Sequence, residues 1–289
     1  IIHLHFPDPM SHLVSMCMPA NVPRVITWHS DIVKQKNLLK LYRPFQRREI
    51  MRAQALIAPT AAHYSSSTQI PADYPAERRH IIPFGMNYNG LQLTPRIAER
   101  AAQIRSQAQG KLLVFTLGRH VSYKGFHVLI EAMQHTNAYL ILGGDGPLTP
   151  ELRQQVHTLG LTDKVQFTGR ISDEDLPAYY HACDVFCLPS VTTAEAFGLV
   201  QLEAMACGKP VITIKGTATS EVVSLPELEV DAENLTEDLK VKLMFLVGNP
   251  ERTKVLGRVS RSRAEDKFSL ETYLDNLVNL YSSVITRRK

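Results

Sequence analysis

The sequence predicts an α/β protein of two parallel-sheet domains. Short apolar runs of strand length alternate with helical patterns along the whole chain, the order that builds parallel sheets. Helix ends carry Pro and Gly where capping requires them, and 289 residues is the length of about two domains. Hydrophobic residues are 44% and charged residues 21% of the chain, ordinary for a globular protein. No apolar run approaches the roughly 20 residues that span a bilayer.

The first strands read IIHLHF from Ile1, RVITW from Arg24, ALIAP from Ala55 and HIIPF from His80. A second set reads KLLVFTLG from Lys111, AYLILGG from Ala138, KVQFTG from Lys164, DVFCLPS from Asp184 and PVITI from Pro210. Between them Thr149, Pro150 and Glu151 serve as N-cap, N1 and N2 of a helix, and Gly208 with Pro210 ends another. The closing FSLETYLDNLVNLYSSV has apolar residues at helical spacing and predicts a last helix crossing back to the first domain. The polar stretch from Asn87 to Gly110 places the boundary near Leu91, giving domains 1–90 and 91–289. Four strands make the first doubly wound domain incomplete and leave a parallel edge open. With the opening IIHLHFP, which has no initiator Met or leader, this predicts a piece of a longer polypeptide.

Net charge is +4, with ten Lys/Arg against five Asp/Glu in residues 1–90. The segment Asp31 to Arg52 holds seven Lys/Arg against two acids. It reads as a solvated helical face, or as a docking surface for anionic lipid headgroups. It carries no recognisable nucleic-acid-binding motif. The four cysteines stand in apolar stretches, as expected of reduced core thiols in the cytosol.

The stretch EAFGLVQLE from Glu195 to Glu203 carries the chemistry. With a helix beginning near Phe197 or Gly198, Glu195 falls in the turn at the carboxyl end of a strand, where open α/β sheets bind ligands, and Glu203 falls just over one turn into the helix. Both carboxylates are expected to face one crevice. Ala196 completes the turn, Phe197, Gly198 and Leu199 supply helix N-terminal N–H groups, and Gly198 permits close approach. In GRHVSYKG, Gly118 frees the strand exit while Arg119 and Lys124 suit a diphosphate. The exits LILGGDGPL, with Gly144 and Gly146, and VQFTGR, ending at Arg170 before Ile171, could line a nucleotide pocket. GGDG is not the GxGxxG of dinucleotide binding. Carboxylates for hydroxyls and donors for phosphate oxygens together fit a sugar nucleotide. His3 and His5 share a strand face, but no ligand set completes a metal site there.

The series GRxxxxKG, GDGP, FxGR and PSxxxxEAFGxxxLEAMAxGxPVI resembles glycosyltransferase family 4, the retaining GT-B group 1 enzymes, over nearly the whole chain. The resemblance implies a GT-B fold whose C-terminal domain holds a nucleoside diphosphate sugar. It implies that Glu195 contacts the donor sugar, Glu203 the ribose, and Arg119 with Lys124 the leaving diphosphate. Backbone at Arg170 and Ile171 would hold the base. His29, in TWHSD, matches the family histidine that faces donor sugar and acceptor. The implied enzyme is a metal-independent hexosyltransferase without cofactor, using a UDP-, GDP- or ADP-sugar. Its acceptor is a glycan or lipid-linked saccharide of bacterial surface polysaccharide synthesis, in the cytoplasm or at the inner face of the membrane.

Two departures stand out. The glycine-rich loop that opens family members is absent from this sequence. After ITIKGTATSEVV comes SLPELEVDAENLTEDL, where the family has a glycine-containing segment ending in a strand, so a shortened loop or missing residues are expected. Two alternatives stay open: a nucleotide-sugar-binding module without turnover, and a phosphorylase-like enzyme with pyridoxal phosphate, for which no lysine stands in a recognisable pocket.

Overall fold

In the computed structural model, residues 1–32, 36–192 and 195–286 are described. The chain separates into two compact units, Ile1–Gly85 with Leu270–Lys289, and Met86–Ser269.

The first unit opens with β1 (Ile2–Phe6), α1 (Pro9–Met16), β2 (Arg24–Trp28), α2 (Lys36–Arg52), β3 (Ala55–Ala58), α3 (Ala61–Ser66) and β4 (Arg79–Ile81). Among the described residues the strands lie in the order β1-β2-β3-β4, each parallel to the next. Strand alternation sends Leu4, Phe6, Ile26, Trp28 and Leu56 into one core with Ile50 of α2 and Tyr74. β4 stops at Ile81, short of the expected HIIPF, because Pro83 has no N–H for the ladder.

The charge in this unit is not all on the surface. Arg24 and Glu49 are both buried. Arg24 Nε donates to Ser15 Oγ at 3.0 Å, Ser15 Oγ donates to Glu49 Oε2 at 2.9 Å, and Arg52 Nη1 donates to Glu49 Oε1 at 3.0 Å. The network pins α1, β2 and α2 together. The expected solvated face of α2 is its other side, where Leu38, Leu41 and Phe45 stand exposed beside exposed Lys40, Arg43 and Arg48. Lys34 of the basic run lies outside the described residues. Cys17 is exposed at the end of α1, unlike buried Cys183 and Cys187, so not every thiol is a core residue.

The second unit contains α4 (Pro95–Ser106), β5 (Leu112–Leu117), α5 (Phe126–Ala132), β6 (Ala138–Gly143), α6 (Thr149–Thr158), β7 (Val165–Gly169), α7 (Leu176–Ala182) and β8 (Val185–Leu188). It continues with α8 (Leu199–Ala206), β9 (Val211–Ile214), α9 (Ala218–Val223), β10 (Glu229–Val230), α10 (Leu235–Gly248) and α11 (Pro250–Lys267). Among the described residues its parallel strands run β10-β9-β8-β5-β6-β7. Winding starts at β5, goes outward to β7, then resumes at β8 on the other side and goes outward to β10. The reversal between β5 and β8 leaves a crevice at their carboxyl ends.

Three expectations shift. The segment SLPELEVD does hold a strand: β10 pairs Glu229 with Thr213 and Val230 with Ile214. The N-cap of α6 is Leu148 and Thr149 is the first helical residue, because the Thr149 hydroxyl is engaged by the loop before it. The unit boundary falls after Gly85, not near Leu91. Met86 N donates to Phe268 O at 2.9 Å, Tyr88 Oη to Phe268 O at 2.9 Å and His181 Nε2 to Leu91 O at 2.8 Å, which ties residues 86–91 to the second unit.

The chain ends in α12 (Leu270–Thr286), which belongs to the first unit. Leu277, Leu280 and Val284 cover Val25, Ala55, Ile57 and Ile82 on the sheet face opposite the first core. Among the described residues no helix is long and apolar enough to cross a membrane.

Candidate functional site

In the second unit the site grows from three strand exits laced together by backbone. Gly118 N, after β5, donates to Gly143 O at 3.2 Å, His120 N to Asp145 O at 3.0 Å, and Gly144 N, after β6, to Gly169 O at 2.7 Å. The lacing leaves no room for side chains: a Cβ on Gly144, whose φ is +100°, would lie 2.0 Å from Gly118 O. One on Gly146 would lie 2.5 Å from His120 O. Thr149 fastens the same loop, donating to Asp145 Oδ1 at 2.8 Å and accepting from Gly146 N at 3.0 Å. The Thr149 bond first, then one from Gly146 N to Asp145 Oδ1 at 2.7 Å, holds the Asp145 carboxyl below its ordinary range.

The result is a cavity of 540 Å³ bounded by Gly118, Arg119, Gly144, Asp145, Gly146 and Arg170, with Leu117 and Pro147 completing it. Two exposed guanidinium groups, Arg119 and Arg170, stand in a glycine-walled opening at the carboxyl ends of β5, β6 and β7. Planar forks beside exposed backbone suit a phosphate-bearing ligand.

Lys124 sits behind this opening. A Cβ on Gly118 would lie 3.3 Å from Lys124 Cε. The ammonium is nearly buried and forms an ion pair with Glu195, beside the Tyr123 ring. Ser190 Oγ donates to the same carboxylate oxygen at 3.5 Å. Backbone reinforces the pairing: Val191 N donates to Tyr123 O at 2.9 Å, and Gly125, with φ +67°, leaves no space for a Cβ against Pro189 O. The exits of β5 and β8 are thus sewn together across the reversal in strand order.

Ala196 and Phe197 lead into α8. Phe197 is buried edge-on against Phe268, and Gly198 is the N-cap with φ +73°, where a Cβ would lie 2.8 Å from Leu188 Cδ2. Buried Gln201 donates from Nε2 to Phe197 O at 2.6 Å and fixes the turn. Leu199 is half-exposed at the helix start. Thr193 and Ala194 of the preceding linker lie outside the described residues.

Glu203, in the second turn of α8, accepts from Tyr180 Oη at 2.5 Å. Burial pushes its carboxyl pKa up, the Tyr180 bond pulls it down, and Asp173 pushes it up again. Ile171 packs at Gly143, where a Cβ would meet its Cδ1 at 2.9 Å.

The expected residues therefore fall into three groups in this unit. Arg119, Arg170, Gly118, Gly144 and Gly146 share the cavity, with Ile171 packed at Gly143 beside it; Lys124 pairs with Glu195, from which Ala196, Phe197, Gly198 and Leu199 lead into α8; Glu203 is held by Tyr180. Arg119 and Lys124, expected to leave the strand end as a pair, are separated into the first two groups. His29 lies in the first unit, where its Nε2 is 2.9 Å from His5 Nδ1 and its ring stacks on Phe84 at 5.3 Å. Burial first, then His5 and His63, lowers its pKa, so the ring is neutral near pH 7. His3 is engaged by Tyr281 Oη at 2.6 Å and Thr27 Oγ1 at 2.8 Å.

Asp145 stood inside the quoted GGDG without being singled out. Thr149 was visible only as a helix cap, and His120, Gln201 and Tyr180 had no sequence signal beyond their neighbours, since each acts through a contact made only by folding.

A parallel sheet with a ligand crevice at its strand-order reversal is the general form of a nucleotide-binding α/β protein. Comparison with known proteins narrows the class. The family of glycosyl transferases group 1 matches residues 98–263. O-antigen chain mannosyltransferase C of Escherichia coli is 32% identical over 288 residues, 99% of this chain and 76% of that protein. D-rhamnosyltransferase WbpZ of Pseudomonas aeruginosa is 31% identical over 271 residues, 93% of this chain and 70% of that protein. Among solved structures, Anabaena Alr3699/HepE in complex with UDP superposes with a TM-score of 0.82 at 24% identity, covering 98% of this chain and 79% of that one. Sucrose-phosphate synthase from Thermosynechococcus elongatus gives 0.79 at 25% identity, covering 99% and 74%. The chain belongs to the group 1 glycosyl transferases, and its fold is α/β of the GT-B class with Rossmann-like parallel-sheet domains.

Proposed function

We propose that the chain is a retaining, metal-independent hexosyltransferase of glycosyltransferase family 4. It moves a hexose, with mannose first in line, from a nucleoside diphosphate sugar to a glycan or lipid-linked saccharide in surface polysaccharide synthesis. The observation that carries the reading is the glycine-walled cavity with Arg119 and Arg170, adjoining the Lys124–Glu195 pair across the β5/β8 crevice. Mannose is favoured because the Escherichia coli relative bears the name of a mannosyltransferase.

On this reading the diphosphate lies at Arg119, with Lys124 released from Glu195 to meet it. Charge building on the leaving group is then met by groups already in place, which is where electrostatic catalysis has most effect. The positive groups take the part that a metal ion has elsewhere. Glu195, once released, accepts from hydroxyls of the transferred sugar while its anomeric carbon gains positive character and the acceptor attacks from the leaving group's face. Glu203 accepts from the ribose, and backbone at Arg170 and Ile171 borders the base. Neutral His29 is assigned to the transferred sugar and acceptor by the family pattern alone. Contact with an anionic membrane at α2, on the cytoplasmic side, is part of the proposal.

The test is thermal stabilisation by GDP, UDP and ADP, followed by transfer from the matching sugar nucleotide. Stabilisation by one nucleotide with hexose transfer is expected. Stabilisation without transfer returns the binding-module alternative, and none by any of the three overturns the reading.

A further inference from the structure

Tyr180 is wholly buried and its ring packs edge-on against Phe115 and tilted against Phe186, contacts that a phenylalanine would make equally well. The hydroxyl is the part that this packing does not explain. A buried phenol needs a hydrogen-bond partner, and here it donates to Glu203 Oε2 at 2.5 Å. The bond joins α7 to α8, and it consumes one carboxylate oxygen while the other remains for a ligand hydroxyl. We infer that Tyr180 is the positioning residue of Glu203, fixing its carboxylate in the orientation and charge state that the ribose requires. The inference rests on the function proposed above.

The electrostatic surroundings make the assignment testable. Glu203 faces the Tyr180 hydroxyl from α7, Asp173 from the loop before it and the Cys207 thiol, which is itself near Cys183, Lys209 and Arg261. Burial and Asp173 favour the protonated acid, whereas the Tyr180 bond opposes protonation. Removing the hydroxyl therefore moves protonation of Glu203 to higher pH, and the protonated acid loses one of its acceptor sites.

The experiment titrates GDP, UDP and ADP into the wild-type chain, Tyr180→Phe, Glu203→Gln and the double variant from pH 5 to pH 8. Each variant's melting temperature is recorded alongside. The nucleotide affinity of the wild type is expected to fall on the acid side. In Tyr180→Phe that fall should begin about one pH unit higher, the shift expected for loss of one hydrogen bond to the charged form. In Glu203→Gln the acid fall should vanish, and adding Tyr180→Phe should change affinity less than twofold. A role in packing alone would weaken binding equally at every pH and in both backgrounds, and that result overturns the inference. Wild-type protein that binds none of the three nucleotides overturns the proposed function and this inference with it.

Discussion

On the proposed reading Lys124 leaves Glu195 for the diphosphate, so ligand binding exchanges one partner of the carboxylate for another. Lys124→Ala removes the charge-assisted bond proposed for the diphosphate and is expected to weaken nucleoside diphosphate binding by about 1.5 to 3 kcal/mol. Nucleoside binding should barely change; equal loss for both, by calorimetry, removes the diphosphate assignment. The two glutamates should also fail differently. The group proposed for Glu203, the ribose, is present in ground and transition state alike, so Glu203→Ala should chiefly raise donor KM. Glu195→Ala should chiefly lower kcat, by roughly 10² to 10³ if it resembles loss of one preorganised contact. Steady-state kinetics with direct nucleotide titration separates these, and the reverse pattern exchanges the roles. Both carboxylates were visible in the sequence because Glu195 follows a strand and Glu203 follows a turn of helix. Their partners were not: Lys124 is 71 residues before Glu195 and Tyr180 is 23 before Glu203. Only the β5/β8 and α7/α8 neighbourhoods bring them close.

Helices and strands were legible where composition and burial agree, as in VITI of β9, buried throughout. They were illegible where tertiary pairing overrides a weak local pattern. Glu229–Val230 is too short to announce a strand, and becomes one only because β9 offers its edge. Arg24 and Glu49 misled in the opposite sense, since charges are normally outside, yet both sit in the α1–β2–α2 seam. Glu49→Ala leaves Arg24 buried without its carboxylate and should cost about 3 to 5 kcal/mol, measured by denaturant unfolding. A loss under 1 kcal/mol would mean the seam is held by packing alone. The outer side of α2 makes a separate prediction. Leu38, Leu41 and Phe45 recur at helical spacing beside Lys40, Arg43 and Arg48, the composition of an interfacial helix. Changing those three cations to Gln should cut sedimentation with anionic vesicles and remove most of its salt dependence. Unchanged sedimentation leaves α2 as an ordinary solvated helix.

The first unit should be the more sensitive of the two to acid. In the first, burial lowers the pKa of His12, His29 and His63, and that of His3 to about 4. The unfolded chain binds protons near the ordinary histidine value of about 6.5, so this stability is present above that pH and lost as pH falls towards 4. In the second unit His120 and His181 act in the same direction, but Glu203 is raised. Its protonated form is favoured on folding, a contribution present in acid and lost as pH rises through its folded pKa. Hydrogen exchange at pH 5 and pH 7.5, corrected for intrinsic rates, should show protection lost first in β1 to β4. Simultaneous loss in both sheets would show that these histidines do not govern acid stability.

Placing α12 on the first sheet has a consequence for biosynthesis. Domains usually close in the order the ribosome releases them. Here Val25, Ala55, Ile57 and Ile82 emerge before the second unit, yet Leu277, Leu280 and Val284, which cover them, emerge only after it. The later unit, continuous from Met86 to Ser269, can finish folding while the earlier one still waits with an apolar face uncovered. A nascent chain arrested after Ser269 should therefore be the form that chaperones hold and proteases trim back towards the Met86–Ser269 piece.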